Sequence, residues 1–186
     1  MKATINIQMM LSALVLAVIV TISDNVTGQT TMGILPVNTS AVNTTVLTEG
    51  QWESVSLQLQ NQFALQLAGL GSVRQLSREH ILLLMKDMPP LDLENLSEEE
   101  YKVISKKENL KYLLKCAIES IEVIDKSVIS PIHIIIVNNG GKKFWEKTVP
   151  ITKTVPNPEV TEHILLNDVF KPSVNNISKE IKALKY

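Results

Sequence analysis

Two Glu-His pairs are the residues of this 186-residue sequence whose types best suit chemistry. Glu79-His80 and Glu162-His163 each open the same five-residue stretch, Glu-His-Ile-Leu-Leu. A histidine beside a carboxylate can move a proton or bind a metal ion, and two such pairs brought together could line a pseudo-symmetric pocket. A metal centre needs three or four converging ligands, and the only further histidine is His133. The pattern therefore favours histidines at the surface or the edge of the core, and we expect no catalytic residue, metal or cofactor.

The motifs of the common enzyme classes are missing from the sequence. Gly69-Leu70-Gly71 lacks the third glycine of a dinucleotide-binding fingerprint, because Arg74 stands in its place. There is no Gly-x-Ser-x-Gly nucleophile turn and no phosphate-binding Walker loop. The carboxylates of Glu98, Glu99 and Glu100 lie where a helix begins, and there they complement the helix dipole. We therefore expect a protein that is not an enzyme.

Cys116 is the only cysteine, so the chain cannot form an internal disulfide. Its neighbours in Leu113–Ile118 are mainly apolar and suggest the buried face of a helix, where free cysteine is a common residue. Burial would raise the thiol pKa, which is unfavourable for a nucleophile. The alternative is an intermolecular disulfide through Cys116 that joins two chains into a dimer.

Asn-x-Ser/Thr triplets, the acceptor pattern for N-linked glycans, are frequent in this sequence. A glycan there would keep the surrounding surface exposed and soluble. The triplet at Asn25 is lost if a leader is removed after Gly28. The predicted N-glycosylation sites are the four that remain, Asn38, Asn43, Asn95 and Asn176.

The first 28 residues have the pattern of a secretory signal peptide. Lys2 precedes an uncharged apolar run from Met9 to Val20, and Val26-Thr27-Gly28 offers a small residue at the cleavage point. The run is shorter than the stretch of about 20 residues that crosses a bilayer, which argues against a membrane anchor. We expect cleavage after Gly28, with Ser23 as the alternative position, and a secreted, extracellular protein without a later membrane segment.

Composition limits which residues can form the core and which partners the protein can bind. The formal net charge is −1 and aromatic residues make up 4% of the chain, so the core must consist of Leu, Ile and Val. Acidic residues cluster around Glu98, whereas lysines dominate from Lys102 onward. The basic part lacks clustered arginine or interleaved aromatic residues, and we expect no nucleic-acid partner.

Hydrophobic spacing predicts several helices after a polar start. Residues 29–50 are rich in Thr, Ser and Asn and show no period, which predicts a flexible arm. Ser77 begins a predicted helix that ends near Asp87, and Ser97 with Glu100 forms a capping box for the next helix. The first predicted helix has an apolar face that consists of Trp52, Val55, Leu59, Phe63, Leu67 and Leu70.

Hydrophobic spacing in the second half of the chain predicts both helices and a hairpin. The apolar face of the helix that begins at Ser97 extends through Leu113 and Ile118 to Ile124, with a break at 106–109. Residues 132–149 predict a β-hairpin around Asn138-Asn139-Gly140-Gly141. Two last helices, 159–170 and 176–185, are separated at Pro172.

The Glu-His-Ile-Leu-Leu stretch belongs to a longer internal echo. In both 77–105 and 160–185 a predicted helix, a proline break and a sequon at the next helix follow in the same order. Such an echo has two explanations, an old duplication of a helix-loop-helix unit or a coincidence between leucine-rich helices. The predicted fold is a single, mostly helical α+β domain over 51–186, with one hairpin at about 132–149 and a flexible N-terminal arm.

These features predict a secreted, non-enzymatic glycoprotein. It would act as a structural or binding component outside the cell, for example in an extracellular and even mineralised matrix, with an extracellular protein or the matrix as partner. A soluble, cytokine-like ligand for a receptor is the first alternative. A carrier of small apolar ligands, or a hydrolase with an unfamiliar site, is the second.

Overall fold

The fold is built on one six-stranded sheet, and the computed structural model describes residues 30–42, 46–88, 92, 95–155 and 160–186. The signal peptide predicted for residues 1–28 lies outside the described residues. The strands are β1 (Thr30–Ile34), β2 (Gly71–Gln75), β3 (Tyr112–Ile118), β4 (Glu122–Ile124), β5 (Ser127–Asn138) and β6 (Lys143–Thr154). The helices are α1 (Glu49–Leu67), α2 (Arg78–Leu84), α3 (Glu98–Lys107), α4 (Glu162–Ile164) and α5 (Lys171–Lys182).

The sheet is parallel on one side and antiparallel on the other. β1 lies between β2 and β3 and is parallel to both, and α1 is the crossover from β1 to β2. β5 runs antiparallel to β3 and pairs along its other edge with β6. The short β4 pairs with the start of β5, on the edge that β3 also uses. The architecture is therefore a mixed α+β sheet with a βαβ unit at its N-terminal end.

Two groups of buried side chains cover opposite faces of the sheet. α1 and the C-terminal helical segments pack on one face, against alternate residues of β1, β3 and β5 such as Ile34, Cys116 and Ile134. α2 and α3 pack on the other face, where Leu113 and Val137 meet them. Alternation along a strand places successive side chains on opposite faces, so β3 and β5 contribute to both groups, whereas the buried side chains of β1 and β6 belong to the first.

α1 confirms the helix predicted from the spacing of apolar residues. It covers 19 residues, and five members of the predicted stripe, Trp52 through Leu67, are buried. Ser77 is the N-cap of α2, and Ser97 with Glu100 forms the capping box of α3, as the sequence predicts. These elements could be predicted because their signals lie within one or two helical turns.

The prediction of a mostly helical chain is wrong. α3 ends at Lys107, Asn109 takes a positive φ of 53°, and Tyr112–Ile118 is the strand β3. The apolar residues from Leu113 to Ile118 fit a helical period and a strand period almost equally well, and pairing with β1 and β5 decides for the strand. The residues predicted to continue this helix form β4 and a tight turn at Asp125, whose φ is 55°.

The prediction of a flexible N-terminal arm is also wrong for its described part. Thr30–Ile34 forms β1, a central strand, and Met32 and Ile34 are fully buried. Its Thr and Ile residues suit a strand, but the run has only five residues and both partner strands are distant in sequence. A Cβ at Gly33 would lie 2.6 Å from Leu110 Cδ1, so a larger residue there would force the buried leucine side chains around it to move.

The predicted hairpin is present and longer than expected, and it is one part of a larger sheet. β5 and β6 pair from Ser127 to Val137, and the Oδ1 of Asn138 accepts hydrogen bonds from the turn amides of Gly140 and Lys142. Pro131 stands opposite Pro150, so neither residue donates to the ladder at that point. β6 tolerates Pro150 because, among the described strands, it pairs only with β5.

The C-terminal helix is continuous where two helices were predicted. α4, a π-helical segment (Leu165–Phe170) and α5 follow one another without a break, and Pro172 lies in the first turn of α5. A proline in a helix removes one backbone donor, and the wider π-helical turn just before it accommodates that loss. The second copy of the echo therefore lies in one continuous helix, whereas the first includes the two separate helices α2 and α3, so the two are not the same unit.

Candidate ligand-binding cleft

A cleft of about 740 Å³ opens beyond the carboxyl ends of β1 and β2. The chain that leaves β1, residues 35–40, forms one wall, and the first turn of α2, which follows β2, forms another. The side of α1 between Glu49 and Gln60 closes the third. Ligands of open α/β sheets bind outside the carboxyl ends of parallel strands, so this is the expected place for a site.

The cleft has an apolar floor and a charged rim. The rim side chains are exposed and carry charges of both signs, with Glu49, Glu53 and Glu79 as acids and Arg78 as a base. Lys115 of β3, which is half-buried and has a partner of its own, adds a second base. The buried side chains that line the floor are Leu35, Val37, Val42, Trp52, Ile81 and Leu96.

Gln60 holds the two strand ends together beneath this floor. Its side chain is 3% exposed, and its Nε2 donates to the carbonyl oxygens of Ile34 at 2.8 Å and Leu76 at 3.0 Å. These carbonyls belong to the last residue of β1 and to the residue just after β2. A buried amide must be satisfied in this way, so Gln60 fixes how far apart the strand ends lie.

Trp52, one of the floor residues, carries a buried donor that no described residue satisfies. The residue is 3% exposed, and its indole Nε1 has no hydrogen-bond acceptor within the described part of the chain. A buried N–H without a partner costs about 1–3 kcal/mol.

Two hydroxyl groups at the cleft, those of Ser56 and Ser77, are engaged by the backbone. Ser56 Oγ donates to the carbonyl of Val37 at 2.6 Å, and Ser77 Oγ accepts from the His80 amide as the N-cap of α2. The pKa of Glu79 lies below its ordinary value, chiefly because of a backbone hydrogen bond and then because of Ser77. The described lining contains neither histidine nor cysteine.

The structure does not bring the two Glu-His pairs together. His80 Nε2 lies 2.9 Å from Glu108 Oε1, on the α2 side of the sheet. Glu162 accepts from Ser54 Oγ at 2.6 Å, on the opposite face, and His163 contacts Asn167. Within the described ranges no three acidic, histidine or cysteine side chains are grouped to hold a metal ion. The pseudo-symmetric pocket is therefore not formed.

Cys116 lies on β3, at the centre of the sheet, and not on a helix. Its side chain is fully buried and free, and burial raises the pKa of its thiol far above the usual range. An intermolecular disulfide through Cys116 would require β3 to leave the core.

The predicted glycosylation sites differ in their surroundings. Asn38 follows β1, is half-buried and lines the cleft. Asn95 is exposed before α3, and Asn176 is exposed on α5, although the hydroxyl of its Ser178 is buried. Asn43 falls outside the described residues.

Sequence patterns missed the cleft because its walls come from separate parts of the chain. Gln60 gave a local signal that could have been used, since it is a polar residue beside Leu59 on the apolar stripe of α1. Among the helices the structure describes, none is both long and apolar enough to cross a membrane.

Comparison with known proteins gives the fold and no family. No protein-family model matches this sequence, and no curated protein is significantly similar to it. The fold is similar to that of a hypothetical protein from Chlamydia trachomatis, with a TM-score of 0.51, 9% identity, and coverage of 84% of this chain and 99% of that chain. A lipoprotein from Neisseria meningitidis is similar with a TM-score of 0.51, 11% identity, and coverage of 82% and 97%. At these identities the likeness concerns the fold alone.

Proposed function

We propose that this chain is an exported, non-enzymatic binding protein that holds a small, mainly apolar molecule in the cleft at the ends of β1 and β2. The observation that carries the proposal is the cleft itself, a buried apolar floor within a charged rim. Its volume of about 740 Å³ falls in the range of pockets that enclose small ligands, about 300–1,000 Å³.

The lining favours an uncharged ligand with one acceptor oxygen. The rim carries Glu49, Glu53 and Glu79 against Arg78 and the partnered Lys115, so opposite charges nearly cancel. An apolar body would cover the floor, and an oxygen could accept from the Trp52 indole. Most of the binding free energy would come from burial, at about 25 cal/mol per Å² of apolar surface.

The amino-terminal sequence supports the export of this protein from the cytoplasm. The signal-peptide pattern at 1–28 supports a place outside the cytoplasm, in the cell envelope or the extracellular space. N-terminal sequencing of protein recovered outside the cell should return Gln29 as its first residue. Recovery of the chain from the cytoplasm with Met1 intact would contradict the export step. The matrix role and the receptor-ligand role stay predictions.

The binding step can be tested with two matched leucine variants. Leu57 is 56% exposed at the cleft, and Leu65 is 70% exposed two turns further along α1, away from the lining. Nile red, a neutral apolar dye, serves as the probe in a fluorescence titration of protein made without N-glycans. Leu57→Asp should weaken binding about tenfold or more, because a charge replaces apolar contact surface. Leu65→Asp should bind as the unmodified protein does.

Two results would overturn this function. The unmodified protein would fail to bind the dye saturably, or Leu65→Asp would lose as much affinity as Leu57→Asp. Urea unfolding of both variants provides the folding control. Both leucines are exposed, so each substitution should change the free energy of unfolding by about 0.5 kcal/mol or less.

A further inference from the structure

We infer that an N-linked glycan on Asn38 and a ligand in the cleft exclude one another, so that glycosylation at this asparagine controls access to the site. This inference rests on the proposed binding role of the cleft. It joins two features that are separate in the sequence, a sequon and the end of a parallel strand.

The backbone of Asn38 is fixed in the sheet. Its N–H donates to the carbonyl of Cys116 at 2.8 Å, and its carbonyl accepts from the Ile118 amide at 2.9 Å. These two bonds form a bridge to β3, next to the end of β1. Asn38 therefore cannot swing away from the cleft without breaking this bridge.

The side chain of Asn38 is oriented as well. Its Oδ1 accepts from the Ser40 amide at 2.8 Å, which closes a small turn of the Asx type. With Oδ1 held in this turn, Nδ2, the atom that would carry the sugar, belongs to a half-buried residue of the cleft wall. A sugar attached to this nitrogen would therefore begin at the cleft that Asn38 lines.

Glycan transfer would convert this nitrogen into a branch point. The donor class is a polyprenyl-diphosphate oligosaccharide of the secretory pathway. A bond forms between Nδ2 and C1 of the first sugar, the bond from C1 to the diphosphate oxygen breaks, and the amide gives up one proton as the diphosphate leaves. On this inference the sugar occupies the side of the cleft that Asn38 and Thr39 line, in the space that a ligand must cross.

The other two described sequons do not have this relationship. No residue of α5 lines the cleft, so a glycan on Asn176 extends from a different surface. Asn95 is exposed, and its Nδ2 donates to Asp92 at 2.9 Å. Asn38 is therefore the described sequon whose asparagine itself lines the cleft, although Leu96 of the Asn95 sequon also reaches its floor.

Ser40→Ala removes the sequon and keeps Asn38, and because Ser40 is part of the cleft wall, the affinity of this variant is also compared with that of the unmodified chain made without N-glycans. Ser40 is exposed, and the bond to Asn38 uses its backbone N–H, which alanine retains. Asn176→Gln is the control that removes a remote glycan. Both variants and the unmodified chain are produced in a secreting, N-glycosylating host. Glycopeptide mass spectrometry gives the occupancy at each asparagine, and Nile red titration gives the affinity.

The expected result is occupancy at Asn38 in the unmodified chain and in Asn176→Gln, with Nile red affinity at least about tenfold below that of Ser40→Ala. Equal affinity with and without the Asn38 glycan would overturn the inference while leaving the proposed function intact. An Asn38 that carries no sugar in such a host would also overturn it. Failure of Ser40→Ala and of glycan-free protein to bind the dye would overturn the proposed function and this inference together.

Discussion

Gln60 Nε2 donates to the carbonyl oxygen of Ile34 at 2.8 Å, and this bond fixes α1 to the last residue of β1. The Ile34 carbonyl also accepts from the Leu76 amide at 2.9 Å, and Gln60 donates to the Leu76 carbonyl. One buried side chain thus connects a helix and two parallel strands. The floor of the cleft rests on this junction.

Replacing Gln60 with leucine should destabilise the protein by about 2 kcal/mol. The Ile34 carbonyl would keep one donor, whereas the Leu76 carbonyl would lose its Gln60 donor in a buried place. Urea unfolding followed by circular dichroism measures the change. Gln66→Leu, on the same helix and half-buried, should stay within about 0.5 kcal/mol. Equal stability of Gln60→Leu and the unmodified protein would show that the Gln60 hydrogen bonds do not contribute to the free energy of unfolding.

Gly71→Ala should be far more damaging than alanine at another glycine. Gly71 has a φ of 145°, and a Cβ there would lie 2.4 Å from the backbone oxygen of Thr30, so β1 and β2 could not pair as they do. We expect a loss of about 3 kcal/mol or more, or failure to fold. Gly50→Ala has nothing within 4 Å of the new Cβ and should stabilise α1 by about 0.5–1 kcal/mol. Thermal unfolding of both variants measures the expected loss of stability in Gly71→Ala and the expected gain in Gly50→Ala.

The thiol of Cys116 should resist labelling until the protein unfolds. It is fully buried in β3, and its raised pKa keeps it protonated as the pH is increased. A disulfide-exchange reagent at pH 8 should therefore react at the rate of unfolding, while an added thiol at exposed position Thr152→Cys reacts at once. Immediate labelling of Cys116, or a reducible dimer on gels, would contradict burial.

The carboxyl of Glu146 should titrate below the ordinary range of a glutamate. Hydrogen bonds from Lys143 Nζ at 2.5 Å and His133 Nε2 at 3.0 Å hold the pKa of Glu146 down. Because the folded-state pKa is depressed, the stabilisation is present above about pH 4.3 and is lost as the pH falls through the lower value. Carboxyl titration by NMR should show this pKa rise in Lys143→Met, and no change in the neighbouring Lys142→Met.

Sequence patterns predicted elements whose determinants are local. The stripe from Trp52 to Leu67 and the caps at Ser77 and Ser97 each act within a few residues, and all are present. β3 was missed because Leu113, Cys116 and their neighbours satisfy both periods, and only the pairing with distant strands separates them. β1 was missed because a run of five residues is too short to show a hydrophobic period, and its partner strands are distant in sequence.

The cleft could not be predicted because no single stretch of sequence contains the residues that line it. Its walls follow β1, follow β2 and run along α1, so the site is a consequence of strand order. Once β1 and β2 are known to be parallel neighbours, the rule for open sheets places a site at their carboxyl ends. The sequons, in contrast, are local patterns, but only the fold shows that Asn38 lies at the cleft.

The position of β1 has a consequence for the order of folding. The Thr31 carbonyl accepts from the Lys111 amide at 3.0 Å, a contact between residues 80 positions apart. A chain that crosses a membrane from its N-terminus delivers β1 first and β3 much later, so the central strand emerges without a neighbour. Long-range pairing of this kind is slow, and an unpaired strand is prone to aggregate. On the proposed export route, the yield of native protein should depend on chaperones that shield β1 during translocation, and on the speed at which residues 112–118 follow it.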